Sequence, residues 1–168
     1  MNTGQVLLSI LAFAFLGTVL VNFNHLVLAS NEDMSNNHDV IVGTTIAATY
    51  LDEAQSLAFD QASINNPIYD PSVLTPPNNL GPDSGEVVPE EFDDFDDYSG
   101  YSAIDTAAGN NGVFESDFTV SYVDPENINF RSMPTFMKRL DIKTWRIDVP
   151  FTVDTVTMFS TMAYFRWN

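Results

Sequence analysis

The chain has 168 residues, 45% of them hydrophobic, and a formal charge of −17 at pH 7. That length and apolar fraction suit one ordinary domain with an appended segment and exclude a wholly disordered chain. The absence of cysteine excludes a disulfide framework, a thiolate metal site and a thiol nucleophile.

Charge is unevenly placed along the chain. All six basic residues, Arg131, Lys138, Arg139, Lys143, Arg146 and Arg166, follow position 130, whereas residues 1–130 hold 20 acids and no base. A field of this sign repels phosphate backbones, so no nucleic acid partner is expected. The asymmetry either serves solubility or marks basic C-terminal strands that meet acidic loops, within one chain or between copies.

Residues 1–30 form the first region. No Asp, Glu, Lys or Arg occurs before Glu32, and Val6 to Val21 is almost continuously apolar. The 24 residues from Val6 to Ala29 make a helix of roughly 36 Å, enough to cross a bilayer core of about 30 Å. No Lys or Arg precedes the apolar run, as a secretory signal or a simple single-span anchor would normally have. Small residues Ser9, Ala12, Ala14, Gly17 and Thr18 permit close helix approach. Large ones, Val6, Leu7, Leu8, Leu11, Phe13, Phe15, Leu16, Val19, Leu20 and Phe23, are the candidate surface for bundling with copies of the same helix.

Gly4-Gln5-Val6-Leu7-Leu8-Ser9 resembles the Gly-Phe-Thr-Leu-Ile-Glu start of type IV pilins and pseudopilins, cut after the glycine by a peptidase. The prepilin-like positions are then Gly4, Gln5 and Ser9. Ser9 stands where the family carries glutamate, and Met1-Asn2-Thr3 lacks the family's basic leader residues. The resemblance implies a helix that waits in the inner membrane and then packs with copies of itself in the core of an extracellular filament.

The second region, residues 31–64, reads as an amphipathic continuation of the helix. No proline occurs before Pro67, so one helix from about Gln5 to Ala62 is permitted, with polar Ser30 to Asp39 as the place for a break and Gln61 to Asn66 as its exit. Ala47, Leu51, Ala54 and Leu57 or Ala58 recur at helical spacing and predict a stripe buried under a head domain.

The third region, residues 65–112, holds Pro67, Pro71, Pro76, Pro77, Pro82 and Pro89 among many Asn and Gly residues, which predicts a long irregular excursion over the surface of the head. Within it Glu90-Glu91-Phe92-Asp93-Asp94-Phe95-Asp96-Asp97 places six carboxylates in eight residues. They are either solvated or neutralised by a cation. Calcium, with its six to eight oxygen ligands, suits Asp93, Asp94, Asp96 and Asp97, although the spacing is not that of a twelve-residue helix-loop-helix site. Phe92, Phe95, Tyr98 and Tyr101 would fix such a loop to its own head or to the next copy. The run Asp93 to Gly100, followed by Phe118 to Pro125, is similar to segments of some minor pilins of the mannose-sensitive-haemagglutinin type.

The fourth region, residues 113–168, reads as antiparallel sheet of three or four strands. Phe114, Ser116, Phe118, Val120 and Tyr122 alternate with polar residues, and Asp124-Pro125 turns the chain. Leu140, Ile142 and Thr144 alternate until Ile147 and Val149 resume on the other parity, which predicts a bulge near Thr144-Trp145. Thr152 to Trp167 is apolar on both parities and predicts a strand buried on both faces.

The expected fold is therefore α+β, a long N-terminal helix packed on a C-terminal antiparallel head, as in pilins. With His25 and His38 its only histidines, no glycine-rich phosphate loop and no zinc-ligand spacing, the chain is not expected to be an enzyme. The expected function is that of a structural subunit of an extracellular filament. The alternatives are a membrane-tethered, calcium-binding surface module and a minor pseudopilin of a secretion or pilus apparatus.

Overall fold

The computed structural model describes residues 2–107, 111–149 and 154–165, and the chain divides into two units, Met1–His38 and Asp39–Asn168. Helix α1 spans Thr3–Ser56, 54 residues without interruption. The break expected between Ser30 and Asp39 does not occur. Ser, Asn and Asp each cost a helix only about 0.5–0.7 kcal/mol against alanine, and neither proline nor glycine stands in that stretch to add more. Further on, the Thr44, Thr45 and Thr49 hydroxyls donate to the carbonyls of Val40, Ile41 and Thr45, so these polar side chains are satisfied by the helix itself.

In the second unit α1 lays one face on a four-stranded antiparallel sheet. The strands are β1 Ser102–Thr106, β2 Val113–Tyr122, β3 Met137–Arg146 and β4 Val156–Ala163, in the order β1-β2-β3-β4. Asp39, Gly43, Ala47, Leu51 and Ala54 are buried at steps of three or four residues. Gly43 allows the closest approach: a Cβ there would sit 3.2 Å from Val156 Cγ2. Ala47, Leu51 and Ala54 meet Phe118, Val120, Leu140 and Ile142 of the sheet in the main core. The α+β architecture, a long helix on an antiparallel sheet, is thus as the sequence implies.

Four further expectations need correction. First, α1 ends at Ser56, before the expected exit at Gln61 to Asn66. The cause is tertiary. Ala58 leaves the helix to bridge to the acidic segment, donating to the Asp93 carbonyl at 3.2 Å and accepting from Phe95 N at 2.8 Å.

Second, residues 65–112 are more than a surface excursion. Ile68, Leu74, Phe92, Phe95, Tyr98 and Ala103 are buried, short 3-10 turns follow one another, and Ser102–Thr106 is a strand. Prolines open several of these turns at their first position, where a missing N–H costs nothing. Third, the β2–β3 ladder continues in register through Ser116↔Thr144, Glu115↔Trp145 and Phe114↔Arg146, so no bulge forms at Thr144-Trp145. The change of apolar parity at Ile147 and Val149 comes after the strand has ended. Fourth, β4 is an edge strand, paired only with β3 and half-buried, with Phe159 54% exposed. Its apolar outer face is covered in part by chemistry rather than by a second layer, the Arg139 guanidinium lying 4.1 Å from the Phe159 ring centre. Residues 152, 153, 166 and 167 of the predicted final strand lie outside the described residues.

Candidate functional site

Two features stand out, the apolar half of α1 and a buried charge centre in the head. All ten candidate bundling residues, Val6, Leu7, Leu8, Leu11, Phe13, Phe15, Leu16, Val19, Leu20 and Phe23, are exposed, from 39% at Val6 to 73% at Phe13. The helix is long and apolar enough to cross a membrane. Gly4, Gln5 and Ser9 occupy its first turns, where the Ser9 hydroxyl donates to the Gln5 carbonyl at 3.0 Å. That hydroxyl is therefore engaged within its own helix.

The charge centre is built around Lys138. Strand β3 turns Lys138, Leu140, Ile142 and Thr144 inward, and the Lys138 side chain is wholly buried. Its Nζ donates to the Phe59 carbonyl at 2.8 Å, to Asp60 Oδ2 at 2.8 Å and to Asp96 Oδ1, and lies 4.7 Å from the Phe59 ring centre and 5.4 Å from that of Tyr122. Asp60 caps the 3-10 turn Gln61–Ser63, accepting from Ala62 N at 3.1 Å, and its other oxygen accepts from Thr75 N at 3.0 Å. The Tyr122 hydroxyl lies 2.8 Å from the Thr75 carbonyl and 3.2 Å from Asp60 Oδ2.

The acidic run supplies the other wall. Asp94 caps the 3-10 turn Phe95–Tyr98, its Oδ1 accepting from Asp96 N at 2.8 Å, while Asp97 Oδ2 reaches back to Asp93 N at 3.0 Å and Asp94 N at 2.9 Å. Phe92, Phe95 and Tyr98 anchor this segment in the main core. Asp94, Asp96 and Asp97 are each 2% exposed, whereas Glu90, Glu91 and Asp93 face solvent, so only half of the run's carboxylates are solvated.

The calcium candidates accordingly divide. Asp94 and Asp96 belong to the Lys138 centre. Asp93 and Asp97 join Glu86 instead, these three offering carboxylate oxygens within 4.8 Å of one another, a spacing that a cation of oxygen preference can bridge.

Burial and charge set the protonation of the centre. Burial works against the Asp60 carboxylate, but the Lys138 ammonium and the hydrogen bonds to Asp60 outweigh it and hold its pKa below the ordinary value. Burial, with the neighbouring Asp96 charge, pushes Asp94 up to about 8. Asp97 is pushed up to about 7 by burial and by Asp94, against the backbone N–H groups it accepts from. Burial also raises Asp96, despite Lys138. One ammonium cannot neutralise three adjacent carboxylates, and Asp94 carries the compensating proton at neutral pH.

A pH dependence follows. Between the ordinary carboxylate range and about 7–8 the folded chain holds protons on Asp94 and Asp97 that the unfolded chain releases. Stability from this source is full below the ordinary value and is lost as pH rises through the raised ones. Asp60 and Asp148, whose pKa values are lowered, act oppositely and lose their contribution in acid. Thermal melts of the detergent-solubilised chain should therefore peak at about pH 4–5, fall to about pH 8 and level off above it. A midpoint that is flat or rising over pH 5–8 contradicts the assignment, and Asp94→Asn should flatten the slope.

Sequence reasoning singled out neither Lys138 nor Asp60. The readable signal was a lysine on the inward parity of Leu140, Ile142 and Thr144, since a cation on the core face of a strand requires a buried partner. Asp60 carried a weaker one, a cap residue with Ser63 three places on. The broader expectation that basic strands meet acidic segments is realised within the chain by Lys138 with Asp60 and Asp96, and by Arg146 with Asp39 at 2.9 Å.

No protein-family model, curated protein or solved structure matches the chain. Its long N-terminal helix on an antiparallel four-stranded sheet is compatible with a pilin-like architecture.

Proposed function

We infer that the chain is a structural subunit of an extracellular, pilus-like filament, held in the inner membrane before assembly and polymerised by bundling of its apolar helices. The observation that carries this reading is the exposure of the whole apolar surface of α1 from Val6 to Leu28, without a formal charge, in a chain whose head already has a complete core of its own. A contiguous exposed apolar surface of that size needs lipid or protein around it. Bundling gives it protein, and the alternation of Phe13, Phe15 and Phe23 with Ala12, Ala14 and Gly17 provides knobs and gaps for copies to interlock.

Replacing residues 6–28 by polyleucine tests the reading directly. A simple anchor tolerates any apolar stretch of that length, so membrane retention should persist. A filament subunit needs its particular knobs and gaps, so the unmodified chain should give helical filaments by electron microscopy of sheared surface fractions and the variant should give none. Filaments of unchanged yield from the polyleucine chain, or none from the unmodified one, would refute it.

A further inference from the structure

We propose that the head carries a self-formed covalent cross-link, an amide between Lys138 Nζ and the side-chain carboxyl of Asp96. The inference concerns the head alone and does not rest on the filament reading.

Lys138 and Asp96 are both out of water, and a buried ion pair keeps a desolvation penalty that its own attraction often fails to offset. Condensation removes both charges and releases one water from a site walled by Phe59 and Tyr122, where little water remains to reverse it. The two groups are already in contact, so the entropy of bringing them together is spent in folding and not in the reaction.

A neighbouring carboxylate supplies the proton handling that amide formation requires. Asp60, an acceptor 2.8 Å from the same Nζ, takes a proton from the ammonium and leaves a neutral amine. The amine lone pair attacks Asp96 Cγ, and the proton held by Asp60 passes to an Asp96 oxygen. The C–N bond forms, the Cγ–O bond breaks, and that oxygen leaves as water with the second proton lost by nitrogen. The ammonium and carboxylate thus become one amide and one water, with Asp60 returned to its starting state. Asp60 is the poorer target, since the backbone N–H groups of Ala62 and Thr75 stabilise it as the anion in addition to Lys138.

The product would close a loop between residues 42 apart in the chain, fixing the turn Phe95–Tyr98 to β3 in a protein without cysteine. A cross-link of this kind cannot be undone by thiols.

The test is the mass of the full-length chain, purified in detergent and measured after denaturation. The expected mass is lower than that of the sequence by one water, and chymotrypsin should release a branched peptide joining Asp96-Asp97-Tyr98 to the segment that contains Lys138. Asp96→Ala and Lys138→Arg should each restore the full mass, with near-ultraviolet circular dichroism reporting whether the variant heads remain folded. The unmodified chain is decisive whatever the variants do. A mass equal to that of the sequence overturns the proposal. So does a water loss confined to a linear peptide, which marks a succinimide, and so does a branch at Asp60 in place of Asp96.

Discussion

Lys138→Met should destabilise the head by about 3–5 kcal/mol, the usual effect of removing one partner from a buried ion pair. Methionine has nearly the shape of the lysine stem, so the core around Phe59 and Tyr122 keeps its volume. What is lost is the only cation within reach of Asp60 and Asp96 among the described residues. Both carboxyls must then take up protons or admit water. For a chain of this length each 1 kcal/mol moves the thermal midpoint by roughly 2–4 °C, so a fall of about 10 °C is expected, read in detergent from the near-ultraviolet signal of Tyr98 and Tyr122.

The partner substitutions separate charge from packing. Adding Asp60→Asn and Asp96→Asn to Lys138→Met removes the orphaned charges and should recover part of the loss, because these positions interact and their effects do not add. A lone Lys138→Met that costs under about 1 kcal/mol would mean that the centre is open to water, contrary to its burial. If the amide with Asp96 is present, the same substitution also removes a covalent tie, and the loss will exceed that range.

The helix and two of the strands were legible because their periodicities are long and regular. Val6 to Val21 has no break, and Phe114 to Tyr122 keeps one parity throughout β2. The errors share a physical origin in contacts between segments distant in sequence. Nothing local at Leu57 or Ala58 ends a helix; the chain turns there because Asp93 and Phe95 offer a backbone partner. Strand β1 is five residues long and buries only Ala103 fully, too short a pattern to stand out from a proline-rich stretch.

The acidic run was legible as a cluster and misread as to its surroundings. Six carboxylates in sequence suggest water or a metal, and composition alone cannot place a lysine from a strand 42 residues away among them. What did survive was the sign of the problem. A chain with 20 of its 23 acids before position 131 and all its bases from there on has mostly long-range ways of pairing them, and beside the local pairs Arg131–Asp124, Arg139–Asp141 and Arg146–Asp148 the structure joins Lys138 to Asp60 and Asp96 and Arg146 to Asp39.

Leu16→Lys should abolish assembly while leaving the head unaltered. A lysine at the middle of a membrane-spanning helix costs about 2.5–3.5 kcal/mol in insertion alone, roughly a hundredfold in the membrane-held population. In a bundle the cost recurs in every copy, and like charges then face one another in a dry core. The favourable side of the balance is packing: a helix arriving from lipid gains no fresh release from water, so close contact between copies has to hold the bundle. One charge per subunit forbids that approach, since the ammonium carries its hydration shell with it. Leu16→Met, of similar volume and no charge, should assemble normally. Both variants should melt like the parent, because the cores of the head are built from residues after Asp39. Filaments of normal yield from Leu16→Lys would show that this stretch does not face its own copies. Loss of filaments per membrane-held molecule, with the membrane fraction quantified alongside and the head intact, places the assembly surface on the exposed apolar half of α1.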